Sequence, residues 1–424
     1  MRELDSNKIS SVVQKYGTPC YLYDGNKIKE QYLKLKSILP DNFEVFYSMK
    51  TNPLLGVCQL FKNLGSSIEV ASGGELAVAL EAGFESNNII FTSPGKTLDE
   101  LELAIDNNIY SINVESLEEA ILIDSIAKSK DKIVNISIRV NPDFNLSGAG
   151  IKMSGVSSQF GIDFSKIASV YKTLEVLSNV SLIGLHVYCG TQILKAENIY
   201  NTMDAIFSMA IDLANEYNFD LKFLDLGGGF GIPYFKGEVN IDFQELKNGI
   251  YNVFRKYKEQ LTNTRIAVES GRFLMAECGV FLTKVLYTKE VKGQNYIICD
   301  GGSNFHANSA FLGRYIRNNF PQYILNKDKN EDEMLITVAG PLCTPTDILG
   351  QKLSLPQANV GDIVIIEKSG AYGLTDSPVL FLSHPMPAEI LSFENKMFLL
   401  RKRGKFTDFI TNQNGLEKGI LENV

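Results

Sequence analysis

Between residues 44 and 270 the chain alternates eight short apolar runs with longer amphipathic stretches, a rhythm that few folds can accommodate. The runs are EVFYSM (44–49), IEVAS (68–72), NIIFTS (88–93), YSINVE (110–115), VNISIRVN (134–141), LIGLHVY (182–188), KFLDLG (222–227) and RIAVES (265–270). Their β-branched and aromatic content, with flanking Gly, Pro, Ser and Asn, predicts strands buried on both faces. Segments between them, such as GGELAVALEAG and TLDELELAIDNN, carry apolar residues at three- and four-residue spacing. That spacing predicts helices, the first closing at Gly83. Eight strand–helix units predict an α/β fold, a (β/α)8 barrel over residues 26–272. The rival, an open doubly wound sheet, lacks support because no GxGxxG follows the first strand.

After residue 272 the rhythm changes. VFLTKVLYTKEV, NYIICDGG, MLITVAGP and DIVIIEKSG read as strands joined by turns, which predicts a β-rich second domain over residues 273–424. CYLYD (20–24) is strand-like and precedes the barrel, so residues 1–25 are assigned to that same domain. The chain has 424 residues, 45% of them hydrophobic and 21% charged, enough apolar material for sizeable cores. A net charge of -8 without a basic run argues against nucleic acid and anionic membranes as partners. The amino terminus has no apolar leader segment and no stretch has the length of a membrane span, so the expected location is cytoplasmic. Six cysteines lie scattered without CxxC spacing, and the three histidines (His186, His306, His384) share no ligand spacing, so no metal site is expected.

Barrel enzymes place chemistry on the loops after the strand ends, so each predicted end is a candidate. Lys50 follows the first strand, where apolar surroundings favour a neutral amine suited to imine formation; a surface lysine opening a loop is the plainer alternative. Gly227, Gly228 and Gly229 follow the seventh strand, where barrels often bind phosphate through backbone N–H groups; a tight turn would use the same residues. Glu269, in VESGR at the end of the eighth strand, could hold a cofactor ring nitrogen protonated, or could pair with Arg272. His186 ends the sixth strand and reads equally as a core histidine. In the second domain, Cys343 stands in the turn-rich GPLCTPTD and Tyr372 between small residues in SGAYG; a thiol and a hydroxyl so placed can move or hold a proton, or can be inert.

Taken together, YSMKTN, IEVASGGEL, GLHVYCGTQ, LDLGGGFG, VESGR, GPLCTPTD and GAYGL resemble the fold-type III pyridoxal-phosphate (PLP) decarboxylases, the family of diaminopimelate, ornithine and arginine decarboxylases. The resemblance runs in order from about residue 17 to residue 392. It implies that Lys50 carries PLP through an imine, that His186 stacks on the pyridine ring and that Glu269 pairs with its nitrogen. It further implies that Gly227, Gly228, Gly229, Arg272, Thr191 and Tyr372 surround the phosphate, and that Arg139 supports Glu269 or the ring. Cys343 would return a proton to substrate in the partner subunit of a homodimer with shared active sites.

Within the family, diaminopimelate decarboxylases usually carry an acidic residue after that cysteine, where this chain has Thr344. CTPTD, GRYIRNNFP and LSHPMPAEIL resemble instead an antibiotic- and siderophore-pathway branch. One member of that branch acts on glutamate tethered to an acyl carrier protein, another on a citryl-diaminopropionate intermediate. Thr344 and Asp347, with Arg314 and Arg317, are then the expected substrate contacts, although the two arginines also suit a solvated basic helix face. The alternatives are a diaminopimelate decarboxylase, an amino-acid racemase, which resemblance would pair with arginine rather than Glu269 at the ring nitrogen, and a non-catalytic relative that only binds a partner, a kind expected to lose the lysine or the cysteine that this chain keeps.

Overall fold

The computed structural model describes residues 5–143, 151–152, 157–310, 318–327 and 333–416. Its contacts divide into two compact units, Gly25–Glu277 and a unit made of Met1–Asp24 with Cys278–Val424. The strand CYLYD therefore falls on the same side of the division as the carboxy-terminal sheet.

In the first unit eight parallel strands close into a barrel: β1 (Phe43–Ser48), β2 (Ser67–Val70), β3 (Ile89–Thr92), β4 (Ser111–Val114), β5 (Val134–Asn141), β6 (Val180–His186), β7 (Phe223–Asp225) and β8 (Arg265–Ser270). Each pairs with its sequence neighbours, and β8 returns to β1, with Glu269 opposite Phe46. Continuous apolar runs suit this closure because every strand is covered on both faces, inside by other strands and outside by helices. Phe46, Ile90, Ile183, Phe223 and Ala267 fill the interior. Such a plug leaves functional side chains nowhere to gather except the rims.

The helices start where short polar side chains can cap them. Ser72 opens α1 (Gly73–Glu81) by accepting the Glu75 N–H, and Thr97 opens α2 (Leu98–Asp106) in a reciprocal capping box with Glu100. Gly83, at φ +85°, follows the end of α1, in the left-handed conformation that such a termination uses.

The second unit is built on a nine-stranded sheet. Cys20–Asp24 lies inside it, antiparallel to Gly279–Val291 and parallel to Ala388–Phe393. Cys20, Leu22, Leu282, Ile365 and Ile390 form its core, which the amino-terminal helix Ser6–Tyr16 covers with Ile9 and Val12. Among the described residues no helix is long and apolar enough to cross a membrane.

Candidate active site

The carboxyl ends of the barrel strands bring together side chains that are far apart in sequence. Lys50 stands in the single 3-10 turn Met49–Thr51 that leaves β1. Its Nζ lies 3.4 Å from an oxygen of Glu69, a buried residue of β2, and 5.5 Å from the centre of the Tyr188 ring. The surroundings are thus not purely apolar as the sequence suggested, because a buried carboxylate faces the amine.

His186 ends β6, Asp225 ends β7 and Glu269 is the penultimate residue of β8, all 1% exposed or less. Their nearest nitrogen and oxygen atoms lie within 4.8 Å of one another, and His186 Nε2 is 3.5 Å from Glu269 Oε1. Neither ring nitrogen of His186, nor Glu269 Oε1, nor Asp225 Oδ2 has a hydrogen-bond partner among the described residues. Burial holds His186 well below its ordinary value, reinforced by the charges of Arg139, Lys50 and Lys96. Burial, helped by the charge of Glu69, pushes Asp225 up to about 7, and burial with the charges of Asp225 and Glu69 pushes Glu269 well above the usual carboxylate range. Leaving a buried polar group unpaired costs about 1–3 kcal/mol, so four such atoms in one place mark where a ligand is received. A cation could bridge the trio, a cluster that sequence spacing did not show.

Arg139 takes a different partner from the one expected. Its Nη1 donates to Glu115 Oε1 at 2.6 Å rather than to Glu269, and its guanidinium stacks 4.7 Å from the centre of the Phe160 ring. Glu115 Oε2 accepts the Gly161 N–H at 2.9 Å, and the Glu115 N–H donates to Glu119, which in turn pairs with the buried Lys96 at 2.6 Å. Burial pulls the Lys96 ammonium down from its ordinary value. Arg139 is therefore consumed by a ladder of ion pairs along the β3–β5 rim, and it reaches His186 only through its field. Glu69 and Asp225 lie within IEVASGGEL and LDLGGGFG without having been singled out, and for Glu115 and Lys96 a polar residue near the end of an apolar strand was the available signal.

Beside the trio runs the glycine turn after β7. Gly227 and Gly229 adopt φ of +62° and +107°, open to glycine and strained for other residues. At Gly228 a Cβ would meet the Glu269 carbonyl oxygen at 2.3 Å. Asp225 Oδ1 accepts the Gly227 N–H at 2.9 Å, and Ile193 joins the turn to the neighbouring loop by donating to the Gly229 carbonyl. That loop carries Thr191 in the two-residue strand Gly190–Thr191. Arg272 opens the helix after β8, its Nη1 3.3 Å from the Tyr234 hydroxyl. Backbone N–H groups of such a glycine turn suit an anion, a requirement that a bare cation would not impose.

In the second unit Cys343 is the exposed cysteine of the six, while the others are buried. Thr344, half-buried beside it, pairs hydroxyls with Thr346 at 2.9 Å. Asp347 does not offer its carboxylate to a substrate. It is 2% exposed, Oδ1 accepts the Ser303 N–H at 2.6 Å and Oδ2 the Leu342 N–H at 2.7 Å, so it clamps the turn that carries Cys343. Tyr372 takes a left-handed φ of +55°, its carbonyl accepting from Asn308 at 2.7 Å. Arg314 and Arg317 lie outside the described residues.

Comparison with known proteins points the same way. Residues 25–276 match the family described as pyridoxal-dependent decarboxylase, pyridoxal binding domain. The L-glutamyl-[BtrI acyl-carrier protein] decarboxylase of Niallia circulans is 39% identical over 422 residues, 99% of each chain. A diaminopimelate decarboxylase of Campylobacter jejuni is 32% identical over 96% of this chain and 98% of its own. The crystal structure of diaminopimelate decarboxylase from M. jannaschii with L-lysine superposes with a TM-score of 0.87 at 28% identity, covering 96% of this chain and 94% of that one.

Proposed function

This chain belongs to the pyridoxal-dependent decarboxylase family, and from that premise we propose that Lys50 holds the cofactor and that the barrel mouth carries out the decarboxylation. The observation that carries the placement is the unpaired Glu269 Oε1, buried at the end of β8 next to an anion cradle. Pyridoxal phosphate fits both: a ring N–H would satisfy the carboxylate, and a phosphate would take the glycine N–H groups. When bound, this cofactor supplies a ring that accepts the electron pair left by the departing carboxyl group.

The protein's own groups do the rest. The ε-amine of Lys50 secures the cofactor aldehyde, and Glu69 at 3.4 Å holds that amine in place. Glu269 accepts the ring N–H, which keeps the nitrogen protonated and argues for decarboxylation over racemisation. His186, kept neutral by burial, would stack on the pyridine ring. Gly227, Gly228 and Gly229, with Arg272 and Thr191, would hold the phosphate, and Tyr372 would reach it from the partner in a homodimer. Cys343 Sγ delivers a proton to the carbon that lost its carboxyl group, in the active site of the partner in a homodimer.

For substrate we propose an amino acid with free α-amine and α-carboxylate whose side-chain carboxyl is tethered to a carrier protein. Support comes from the 39% identity to a carrier-protein glutamyl decarboxylase along 99% of both chains, and from neutral Thr344 beside Cys343. A second free ammonium group, as in diaminopimelate, would be expected to call for an acidic neighbour there.

The test has two parts. Borohydride treatment of the protein mixed with pyridoxal phosphate is expected to label Lys50, and label elsewhere, or none, rejects the placement. Carbon dioxide release is then compared for glutamyl carrier protein, free glutamate and meso-diaminopimelate. A preference for diaminopimelate overturns the substrate assignment and leaves the cofactor site standing.

A further inference from the structure

We infer that Asp225 is a positioning residue for the nitrogen end of the pocket, holding the first cradle glycine with one oxygen and sharing a single proton with Glu269 through the other. The inference rests on the cofactor placement proposed above and gives a role to a buried acid that the placement leaves unused.

Three observations support it. Asp225 is fully buried at the end of β7, and its Oδ1 is committed to the Gly227 N–H at 2.9 Å. Its Oδ2 and Glu269 Oε1 both lack hydrogen-bond partners among the described residues. The two carboxyl groups lie in a cluster whose nearest atoms are within 4.8 Å of one another. The other charged or titratable groups facing the pair are Glu69 from β2, Lys50 after β1 and His186 from β6. Lys50 is the one nearby cation of that set and already faces Glu69, while His186 is held neutral. Two carboxylates this close in a dry site cannot both ionise, and they titrate as a pair. Burial raises both groups, and the charge of Asp225 raises Glu269 further, while contact with Glu269 draws Asp225 part of the way back down.

A direction follows as well. Asp225 is tied to the glycine turn, so Glu269 is the member free to face a ligand. When a ring N–H arrives, the negative charge settles on Glu269 and the shared proton on Asp225. The pocket then meets its ligand with one negative charge instead of two, and the same aspartate couples the phosphate cradle to the ring-nitrogen partner.

Asp225→Asn, Asp225→Ala and Glu269→Gln in the full chain test this with pyridoxamine phosphate, which cannot form an imine with Lys50 and so reads the pocket alone. Asp225→Asn keeps both the acceptor for Gly227 and the single negative charge, so its affinity should stay close to that of the parent. Asp225→Ala loses the acceptor and should bind about tenfold more weakly. In infrared difference spectra against Asp225→Asn, which cancel the Glu75 carboxyl, the ligand-bound parent should show the carbonyl band of one protonated carboxyl that the variant lacks, a change that a merely structural role would not produce. With Glu269→Gln the band should also vanish, as the charge is left on Asp225, and affinity should fall. Circular dichroism matching the parent identifies the variants that are folded.

The inference is overturned if Asp225→Asn keeps the band, or if it weakens binding as much as Asp225→Ala does. Equal binding by parent, Asp225→Asn and Asp225→Ala removes the role of Asp225 and leaves the cofactor placement intact. Failure of the parent itself to bind pyridoxamine phosphate sinks the placement, and this inference with it.

Discussion

The barrel mouth and the Cys343 turn both bury charged and polar side chains, and they treat them in opposite ways. At the turn, Asp347 gives both oxygens to backbone N–H groups, and nearby His306 places Nε2 2.8 Å from Ser369 Oγ. At the mouth, His186, Asp225 and Glu269 keep nitrogen and oxygen atoms with no partner among the described residues. A satisfied buried acid stabilises its surroundings, whereas an unsatisfied one is costly unless something outside the chain completes it. The contrast separates a satisfied aspartate from acids left open to a ligand, although both lie in motifs that read as catalytic in sequence.

The strongest attempt to break that contrast is Lys50→Ala. It should abolish the visible absorbance of the bound cofactor and lower kcat/KM by on the order of 10³-fold or more, measured by carbon dioxide release. Retained turnover would move the chemistry away from this mouth.

Glu269→Gln is the next largest expected effect. It should cut kcat roughly a hundredfold by weakening the hold on the ring nitrogen, while the stability of the cofactor-free protein stays level or rises because an unpaired buried acid has been removed. A clear loss of stability would make Glu269 a structural residue like Asp347. For Asp347→Ala the contrast predicts the reverse: a loss of about 3 kcal/mol in denaturant unfolding, since two N–H groups lose a charged acceptor. A stable Asp347→Ala protein with impaired turnover would return Asp347 to the list of substrate contacts.

The smallest effect is a slope with pH. The carboxyls of Asp225 and Glu75 are pushed up to about 7 in the folded protein, chiefly by burial, from ordinary values of 3.8 and 4.5. Between about pH 4 and 7 the folded, cofactor-free protein therefore binds more protons than the unfolded chain. Its stability should decline as pH rises through that window. Asp225→Asn should flatten part of the decline in thermal unfolding; an unchanged slope would show that Asp225 does not carry the proton.

The eight apolar runs announced the barrel because a strand covered on both faces must be apolar throughout, and Lys50, His186 and Glu269 were visible as polar residues at the ends of such runs. Glu69 and Asp225 sit inside runs already read as strands, and a lone acid there gives no hint of what it will face. Arg139 was expected to support Glu269 or the cofactor ring, and in the structure its guanidinium pairs with Glu115. Glu115 outcompetes Glu269 for it by standing at the end of the adjacent strand β4, one ladder step away.

Alone, the sequence determined the strand count, the family and the place of the glycine turn, since periodicity and local backbone demands are written into neighbouring residues. Which carboxylate stays unpaired, which is consumed by backbone N–H groups, and which two must share a proton were decided only when the barrel closed. Hydrogen-bond satisfaction and charge repulsion depend on distances across strands that sequence separation does not encode.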